Sequence, residues 1–558
     1  MTTLLAELDV LALDCQATAP NPANGHLLEI GWSHVRASEP SSPIEAELFR
    51  LPEGAELPRR VGRVTGLDES ALAAGLTPEK VWPSVVDTAR SIAERNRETR
   101  CTTVIHFSRF EEPYLRWLED RVGASFPLGI VCTHAIVRKL LPALPRRGLR
   151  AVAGYFGHSV SELRRASQHV AATAAVWRAS VVLLEQSAGV HTLEELDAWL
   201  REPRSRAKPT RAYPMSPAKL HGLPSRPGVY RMLRGNGDVL YVGKATSLKQ
   251  RVRSYFQTRA PHAEHILEML TQARELEWTV TDSALEAALD EADTIKKLSP
   301  LYNKALRAGE RSIVFATPAL DHVSETPDGE HRLGPLASGD LWKALVLVAM
   351  GRQNELDTTP AVVLAVPESY APGEAIFRSG FERFRAELGT TSLLAHGARL
   401  WRESLEDEVV EEEFHLEMQY DVGAERWTPE RVKNHLGDVV KRAAHLVRRG
   451  LWLCLLSEST LVWNEPGGAE IALVIEQGRV RSRHHRFIHE QDATSAHAAP
   501  CRRFDERRRS FDLDTYDRLT VLTKEIRRLV SEDRPLRLHV GPSATLTNDQ
   551  LRARLRWI

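Results

Sequence analysis

The stretch GVYRMLRGNGDVLYVGKATSLKQRVRSYF, residues 228–256, decides the fold of the central part of the chain. Two apolar, β-prone runs flank residues 235–238, Gly-Asn-Gly-Asp, and an Asn-Gly pair between such runs is a strong β-hairpin signal. Pairing the two strands brings Tyr230 and Tyr241 into the same neighbourhood. After the hairpin, Thr246 is expected to cap a short helix. The apolar positions of that helix follow helical spacing: Leu248, Val252 and Tyr255.

A second helix is predicted over residues 283–298, and its geometry separates one acidic residue from the others. Ser283, followed three residues later by Glu286, forms a capping box, which gives Glu286 a structural role. At about 100° per residue, one polar face is predicted to hold Glu286, Asp290, Asp293 and Lys297. Glu291 falls outside that face and lies at the edge of the apolar stripe. A carboxylate there is costly unless it is paired with a basic side chain or bound to a cation. Helix geometry leaves both alternatives open.

Together these motifs resemble the GIY-YIG nuclease domain of the UvrC and Cho type. The match includes PGVYRML, VLYVGKATSLKQRVRSYF and EAALDEADTIKKLSPLYN and covers roughly ninety residues, within a domain predicted at 218–308. It includes a spacing of twelve residues between Glu291 and Asn303. The resemblance implies that Glu291 holds one Mg²⁺ or Mn²⁺ ion. It also implies the following catalytic set: Tyr230, Tyr241, Lys244, Arg251, Glu291 and Asn303.

The chemistry of these side chains suits phosphodiester hydrolysis. Arg251 can neutralise charge that grows in the transition state, and a divalent ion on a hard oxygen ligand can polarise the phosphate. A phenol with a pKa of about 10 is a poor base at pH 7. Tyr230 is therefore expected to have its pKa lowered by Lys244 or by the metal, or else to act through a water molecule.

Residues 8–190 alternate between strand-like apolar runs and helical patterns, which favours a sheet covered by helices. The expected strands are Val10–Asp14, Leu27–Val35 and Thr102–His106, and the expected helices are Pro113–Val122 and His169–Leu184.

This region resembles a DnaQ-like 3′–5′ exonuclease of the DEDDh, polymerase III epsilon type, which has an RNase H-like fold. The similarity rests on LALDCQATAPNPANGHLLEIGW, VTGLDESALAAG, VIHFSRFEEPYL and SQHVAATAA. In that family four carboxylates hold two metal ions and a histidine acts as general base. Asp14 and His169 are kept here, whereas Gln16 and Ala174 replace two acids and Glu111 replaces an aspartate. The resemblance therefore implies a vestigial exonuclease site.

The missing carboxylates predict an inactive exonuclease. An amide such as Gln16 cannot supply the charge that two divalent ions about 4 Å apart demand. The region is then expected to bind DNA, to fix orientation or to dock a partner. The competing interpretation is residual 3′–5′ exonuclease activity that uses an alternative acid, Glu29 or Glu112.

Length and composition predict a multidomain protein of α/β and α+β class. At about 100–200 residues per domain, 558 residues suggest three or four domains. Boundaries are predicted as follows: a DnaQ-like domain at 1–200, a basic proline-rich linker at 201–217, the small α/β nuclease domain at 218–308, and a mixed α+β region at 309–558.

The last 250 or so residues carry no evident catalytic pattern. Three basic clusters are expected either to contact phosphates, or to form a solvated face or pair with the acidic run. These clusters are residues 481–486, 502–503 and 507–509. The acidic run 403–413 is expected to be a solvated helix face. Helices are predicted at Leu341–Met350, Pro429–Arg449 and Thr515–Val530, and a β-rich stretch at Trp452–Arg481.

The distribution of charge and the number of cysteines limit which partners and which cellular compartment are expected. The formal net charge is +0, but residues 201–307 carry 19 lysines and arginines against 11 acids, a local charge of +8. Such a basic segment is expected in a protein that binds a nucleic-acid phosphate backbone, but a solvated surface can have the same composition. Five scattered cysteines without a CxxC pair argue against disulfides and zinc and fit a reducing cytoplasm. No signal peptide and no membrane span are expected.

The sequence therefore predicts a metal-dependent DNA endonuclease that makes single-strand incisions in DNA repair. Its expected partner is DNA, with other repair or replication proteins as further candidates, and its expected location is cytoplasmic and nucleoid-associated. One alternative is a DNA-binding scaffold of the replication or repair machinery, although a scaffold does not need an intact central site. The other is the exonuclease with residual activity.

Overall fold

The computed structural model describes residues 3–40, 43–159, 164–203, 211–257, 261–303, 312–318, 322–337, 360–364, 371–407, 427–464, 470–485, 511–540 and 544–556. The chain divides into two compact units. Residues 1–282 and 298–305 form the first unit, and residues 283–297 and 306–558 form the second.

The first unit begins with a five-stranded mixed sheet in the order β3-β2-β1-β4-β5. Strand β1 pairs antiparallel with β2 and parallel with β4. The strands are β1 (Asp9–Ala17), β2 (Leu27–Arg36), β3 (Glu45–Leu48), β4 (Cys101–Ile105) and β5 (Leu128–Cys132). The helices around them are α1 (Arg59–Thr65), α2 (Glu69–Ala73), α3 (Pro78–Asn96), α4 (Glu111–Val122), α5 (Thr133–Leu140), α6 (Leu149–Tyr155), α7 (Ala166–Leu183) and α8 (Leu193–Arg201).

Alternate residues of β1 enter two different cores. Leu11 and Leu13 pack in a cluster with residues of α3 and α4, whereas Val10 and Ala12 pack in a cluster with residues of α7. A central strand buried on both faces reads as a continuous apolar run because successive side chains point to opposite faces. The predicted sheet covered by helices is confirmed.

The first unit continues with a three-stranded antiparallel sheet in the order β7-β6-β8. The strands are β6 (Gly228–Leu233), β7 (Val239–Ala245) and β8 (Glu275–Val280), and the helices are α9 (Leu248–Tyr255) and α10 (Glu264–Gln272). The predicted hairpin is confirmed, and Gly237 takes a φ of 91° in its turn, a conformation that favours glycine.

Helix α9 is confirmed, but its cap is one residue later than predicted. Ser247 has extended backbone angles, and its Oγ accepts a hydrogen bond of 3.4 Å from the N–H of Gln250. Strand β7 extends through Ala245, so Ser247, rather than Thr246, is the last residue before the helix.

The second unit contains α11 (Ala284–Leu298), whose residues up to Lys297 belong to it. Leu285 and Leu289 pack in the core beneath the five-stranded sheet β14-β13-β12-β15-β16. The strands of this unit are β9 (Ile313–Ala316), β10 (Val323–Ser324), β11 (Leu333–Ala337), β12 (Ser459–Asn464), β13 (Glu470–Glu476), β14 (Arg479–His485), β15 (Leu536–Val540) and β16 (Ala544–Leu546). Its further helices are α12 (Pro360–Val363), α13 (Glu374–Leu388), α14 (Leu393–Asp407), α15 (Pro429–Leu456), α16 (Leu513–Ser531) and α17 (Asn548–Leu555).

The predicted helices at 429–449 and 515–530 are confirmed, but the start of the β-rich stretch is wrong. Residues 452–456 form the end of α15, and the first strand begins at Ser459. A short apolar run is compatible with a buried helix end as well as with a strand. The predicted helix at 341–350 and the basic clusters at 502–503 and 507–509 lie outside the described residues.

Four cysteines are free, Cys15, Cys101, Cys132 and Cys454, whereas Cys501 lies outside the described residues. Across the described part of the chain, the helices are too short or too polar to cross a membrane.

Candidate active site

The hairpin β6–β7 brings two of the predicted tyrosines together. Tyr230 is paired with Gly243 and Met232 with Tyr241, so the two tyrosines lie on neighbouring strands and on the same face of the sheet. Their ring centroids are 6.2 Å apart. Tyr230 is fully buried, whereas Tyr241 is half-buried.

Gly243 leaves room for the Tyr230 phenol. A Cβ atom at position 243 would lie 2.4 Å from the Tyr230 hydroxyl and 2.8 Å from Cε1 of Tyr241. Both distances are far shorter than van der Waals contact, so any side chain at this position displaces the two rings. The glycine of the YVG motif is therefore a steric requirement of the paired tyrosines.

A third tyrosine, which the sequence reasoning assigned only to the apolar side of a helix, links the site together. The Tyr230 hydroxyl donates a hydrogen bond to the Tyr255 hydroxyl at 3.0 Å, and Nη2 of Arg251 donates to the same oxygen at 3.0 Å. The Arg251 guanidinium also lies 4.9 Å from the centre of the Tyr255 ring. The spacing of four residues between Arg251 and Tyr255 on one helix is the signal that could have identified the pair.

Of the three alternatives for Tyr230, a pKa lowered by Lys244 is wrong. Burial raises the pKa of this phenol well above its ordinary value, and the neighbouring phenols of Tyr255 and Tyr241 add to the increase. The cation that opposes the increase is Arg251 rather than Lys244. Removing water from an ionisable group disfavours its charged form, so Tyr230 stays a neutral phenol at physiological pH.

Arg251 is held as a charged donor at this site. Desolvation lowers its pKa, but the phenols of Tyr230 and Tyr255 outweigh that effect and raise it. Its side chain is exposed, although two contacts with Tyr255 fix it. Lys244 is half-buried on β7, where it is paired with Val229.

Asn303 joins the site through the backbone of β7. Its Oδ1 accepts a hydrogen bond of 2.9 Å from the N–H of Val242, and its Nδ2 donates one of 2.8 Å to the carbonyl of Val242. Asn303 is 7% exposed, so these bonds are made away from bulk water. Val242 lies between Tyr241 and Gly243, and Asn303 therefore holds the strand that carries both.

Glu291 is half-buried on α11, a helix of the second unit. The predicted capping contact at the start of this helix is present, because the N–H of Glu286 donates to Oγ of Ser283 at 3.2 Å. Glu286 is 2% exposed, so its predicted place on a polar face is wrong. Of the predicted set, the first unit thus brings together Tyr230, Tyr241, Arg251 and Asn303.

Four residues of the predicted vestigial exonuclease site are buried in the N-terminal sheet region, Asp14, Gln16, Glu111 and Ala174, whereas His169 is half-buried. Nδ1 of His169 lies 3.2 Å from Oδ1 of Asp14. Burial raises the pKa of Glu111 to about 9, and the nearby Asp14 adds to the increase. Oδ2 of Asp14 and Oε2 of Glu111 have no hydrogen-bond partner among the described residues.

The two substituted positions are used for other contacts. Nε2 of Gln16 donates to the carbonyl of Arg164 at 2.7 Å. Ala174 packs in the apolar core of the sheet, beside residues such as Val10 and Trp177. A position inside that core has no oxygen to offer a metal ion.

The alternative acid Glu29 is already committed to an ion pair. Oε1 of Glu29 accepts from Nη2 of Arg165 at 2.8 Å, and Oε2 accepts from the N–H of Ala166 at 2.8 Å. Glu112 pairs at 3.7 Å with Arg116. Within the described residues, no three His, Cys, Asp or Glu side chains form a group that could hold a metal ion.

Comparison with known proteins identifies the central part of the chain, which we call the nuclease module. Residues 226–304 match the sequence profile of the UvrC-like GIY-YIG domain. UvrABC system protein C of Clostridium botulinum (strain Hall) is 37% identical over 135 residues, which are 23% of this chain and 22% of that protein. The chain therefore spans 22% of the length of this curated relative.

Two solved structures complete the comparison. The GIY-YIG N-terminal endonuclease domain of UvrC from Thermotoga maritima, bound to its catalytic magnesium, is 38% identical and covers 15% of this chain and 92% of that chain, with a TM-score of 0.14. Exonuclease X in complex with 5′ overhanging duplex DNA is 16% identical and covers 32% of this chain and 93% of that chain, with a TM-score of 0.25. The exonuclease assignment of residues 1–200 stays a prediction.

Proposed function

We propose, from the premise that residues 226–304 are a UvrC-like GIY-YIG endonuclease domain, that this chain makes single-strand incisions in DNA during repair. The observation that carries the proposal is the cluster in which Tyr230 and Arg251 meet at the hydroxyl of Tyr255, beside Gly243. Such a cluster places a fixed cation and a phenolic proton together at the edge of a buried aromatic group. A phosphodiester needs both kinds of group as charge develops on its oxygens.

Arg251 and Tyr255 are proposed to contact the phosphate. The Tyr255 oxygen accepts from both Tyr230 and Arg251, which occupies the two acceptor positions of a phenol. Its own proton is therefore directed to a further acceptor, which we assign as a phosphate oxygen of the substrate. Arg251, fixed against the Tyr255 ring, neutralises the charge that develops on that phosphate.

Tyr230 is proposed to position Tyr255 rather than to take a proton. A buried neutral phenol is a good hydrogen-bond donor and a poor base. The attacking hydroxide then arises from a water molecule, as one of the sequence-based alternatives required. Tyr241, half-buried on the same face, and Lys244 complete the proposed substrate-facing set.

Glu291 is proposed to hold one divalent cation, Mg²⁺ or Mn²⁺. Its carboxylate is a hard oxygen donor on a half-buried helix position, and Mg²⁺ commonly takes one or two carboxylates together with waters and substrate phosphates. When bound, the ion supplies charge stabilisation at the phosphate oxygens.

The N-terminal region is proposed to be an RNase H-like exonuclease fold without exonuclease activity, serving to bind DNA or a partner. Its mixed sheet order, the core position of Ala174 and the ion pair of Glu29 with Arg165 support this assignment. The relative's name, UvrABC system protein C, supports excision repair as the process and other proteins of that system as partners. A cytoplasmic, nucleoid-associated location is part of the same proposal.

The proposal is tested by comparing the full chain with Arg251→Ala and with Arg253→Ala on nicked, bubble, flap and adduct-bearing DNA in Mg²⁺. Arg253 is exposed on the same helix and serves as the matched control. Removing Arg251 is expected to slow incision by about 10²–10³-fold, whereas removing Arg253 changes it by less than about tenfold. Equal incision by the Arg251 variant and the native chain would defeat the proposal.

A further inference from the structure

The N-terminal region and the nuclease module meet along helices α6 and α10, within the first compact unit. Arg150 of α6 pairs with Glu268 of α10 through Nε and Nη2, and Nη2 lies 3.3 Å from Oε2 of Glu268. The Arg150 guanidinium also lies 5.8 Å from the centre of the Tyr302 ring. An arginine–carboxylate pair with two bonds fixes orientation as well as charge.

Tyr302 carries this contact into the interior of the nuclease module. Its hydroxyl donates to Oε1 of Glu268 at 2.8 Å and accepts from the side-chain amide of Gln272. Gln272 in turn accepts two hydrogen bonds from the guanidinium of Arg234, at 3.0 and 2.8 Å. Gln272 is fully buried and Arg234 is 3% exposed. Removing one member of such a buried network leaves its partner without a hydrogen bond, and this unsatisfied polar group costs folding free energy.

Helix α6 comes this close to α10 because residue 154 is a glycine. A Cβ atom on Gly154 would lie 1.9 Å from Oε1 of Gln272, the atom that receives the bonds from Arg234. Any side chain at this position therefore pushes α6 away or breaks the network.

The end of the network at Tyr302 adjoins β7, the strand that carries Tyr241 and Gly243. The N–H of Tyr302 donates to the carbonyl of Leu240 at 3.0 Å, and the next residue, Asn303, makes its two bonds to Val242. Two consecutive residues thus dock alongside β7 on either side of Tyr241. A contact that fixes Tyr302 consequently fixes Asn303 as well.

We propose that Arg150 and Gly154 of the N-terminal region are positioning residues for the nuclease site, acting through Tyr302 and Asn303 on β7. The N-terminal region then has a function that requires no exonuclease chemistry. It holds β7 of the nuclease module in position. The effect on incision rests on the proposed nuclease function, whereas the effect on β7 does not.

The test uses the full chain with Arg150→Ala, Arg150→Lys and the control Arg146→Ala. Arg146 makes an exposed ion pair of 2.6 Å with Glu264 at the same interface, without contact to Tyr302. The first measurement is hydrogen exchange at the Val242 amide, which reports the Asn303 bond directly and needs no cleavage. Exchange is expected to become about tenfold faster in Arg150→Ala and to stay unchanged in Arg146→Ala.

The second measurement is incision of bubble DNA. The Arg150→Ala substitution is expected to lower kcat about tenfold and to change KM less than about twofold, because it displaces β7 without removing a substrate contact. Arg150→Lys is expected to recover part of kcat, since it restores the charge but not the two-bond geometry. In an Asn303→Ala background the Arg150 substitution is expected to have no further effect.

Native exchange at Val242 in a folded Arg150→Ala variant would overturn the inference, as would an undiminished tenfold loss in the Asn303→Ala background. If Arg150→Ala does not fold, Glu268→Gln replaces it, because this substitution keeps the shape of the side chain and weakens the same bonds. If the native chain cuts none of the DNA substrates, the proposed function fails, and exchange at Val242 still decides this inference.

Discussion

The side-chain amide of Asn303 satisfies both polar groups of the Val242 backbone, accepting from its N–H at 2.9 Å and donating to its carbonyl at 2.8 Å. Strand β7 is at the edge of its sheet, so these groups face away from β6 and need another partner. The amide supplies the pairing that a further strand would have made. This relationship explains how a residue far from the hairpin in sequence supports it.

Asn303→Ala is expected to destabilise the chain and to slow incision. It leaves a buried N–H and a buried carbonyl without partners, which costs about 1–3 kcal/mol of unfolding free energy. Asn303→Asp keeps an acceptor for the Val242 N–H but sets a buried carboxylate oxygen against the Val242 carbonyl, so a loss at least as large as that of Asn303→Ala is expected. Denaturant unfolding of the native chain and the two variants measures the order of their stabilities. Equal stability of Asn303→Ala and the native chain would show that the two Asn303–Val242 hydrogen bonds do not stabilise the fold.

Gly243→Ala is expected to abolish most incision while leaving the chain folded. The added Cβ would lie 2.4 Å from the Tyr230 hydroxyl, and overpacking of this kind costs about 1–3 kcal/mol as the rings shift. Gly148→Ala is the control, because nothing lies within 4 Å of a Cβ there. Incision assays beside circular dichroism make the comparison, and native activity of Gly243→Ala would show that the tyrosine pair tolerates displacement.

Tyr230 is expected to contribute no ionisation to the pH dependence of incision below about pH 9. Burial raises the pKa of this phenol, so the phenolate that direct base catalysis needs is scarce throughout that range. Tyr230→Phe should therefore lower the rate without changing the shape of the pH–rate profile. A profile that rises with pH in the native chain and becomes flat in Tyr230→Phe would identify Tyr230 as the base.

Glu111→Gln is expected to stabilise the chain at pH 8. The pKa of Glu111 is about 9 in the folded chain, raised chiefly by burial, against an ordinary value of about 4.3 when unfolded. Between these values the folded chain binds more protons than the unfolded chain, so the contribution of Glu111 is present at low pH and is lost as pH rises towards 9.

The gain from Glu111→Gln at pH 8 is expected to be on the order of 1–3 kcal/mol and to vanish near pH 4. Glu112→Gln is the matched control, since its side chain is 36% exposed and pairs only loosely with Arg116. Thermal unfolding at several pH values, with and without Mg²⁺, gives the measurement. Destabilisation of Glu111→Gln that appears only with Mg²⁺ would instead show a working metal ligand at this position.

Local structure around the hairpin was predictable because its signals are local. The Asn-Gly turn specifies the pairing of β6 and β7, and the apolar spacing specifies α9. The role of Tyr255 was not predictable from the same pattern, because an apolar helix position and a hydrogen-bonded phenol look alike in sequence. Only the pairing in space showed that its oxygen joins Tyr230 to Arg251.

Long-range features escaped prediction for a different reason. The apolar stripe of α11 correctly indicated burial, but Leu285 and Leu289 pack in the core of the C-terminal sheet, which no local pattern reveals. The network from Arg150 to Tyr302 likewise joins residues more than 150 positions apart. Such contacts depend on tertiary structure, and their residues are ordinary in local sequence.

We infer that this chain has one working nuclease site and that Glu291 supplies its metal ligand. The most direct test measures all Mg²⁺-dependent hydrolysis, at internal sites and at 3′ ends, by the full chain and by Glu291→Ala, with the neighbouring Asp290→Ala as control. Glu291→Ala is expected to lose both kinds of cleavage by at least about 10³-fold, and Asp290→Ala to keep them within about threefold. Persistent incision by Glu291→Ala would show that Glu291 is not the required metal ligand, and 3′-end degradation that survives in this variant would show a second working nuclease site.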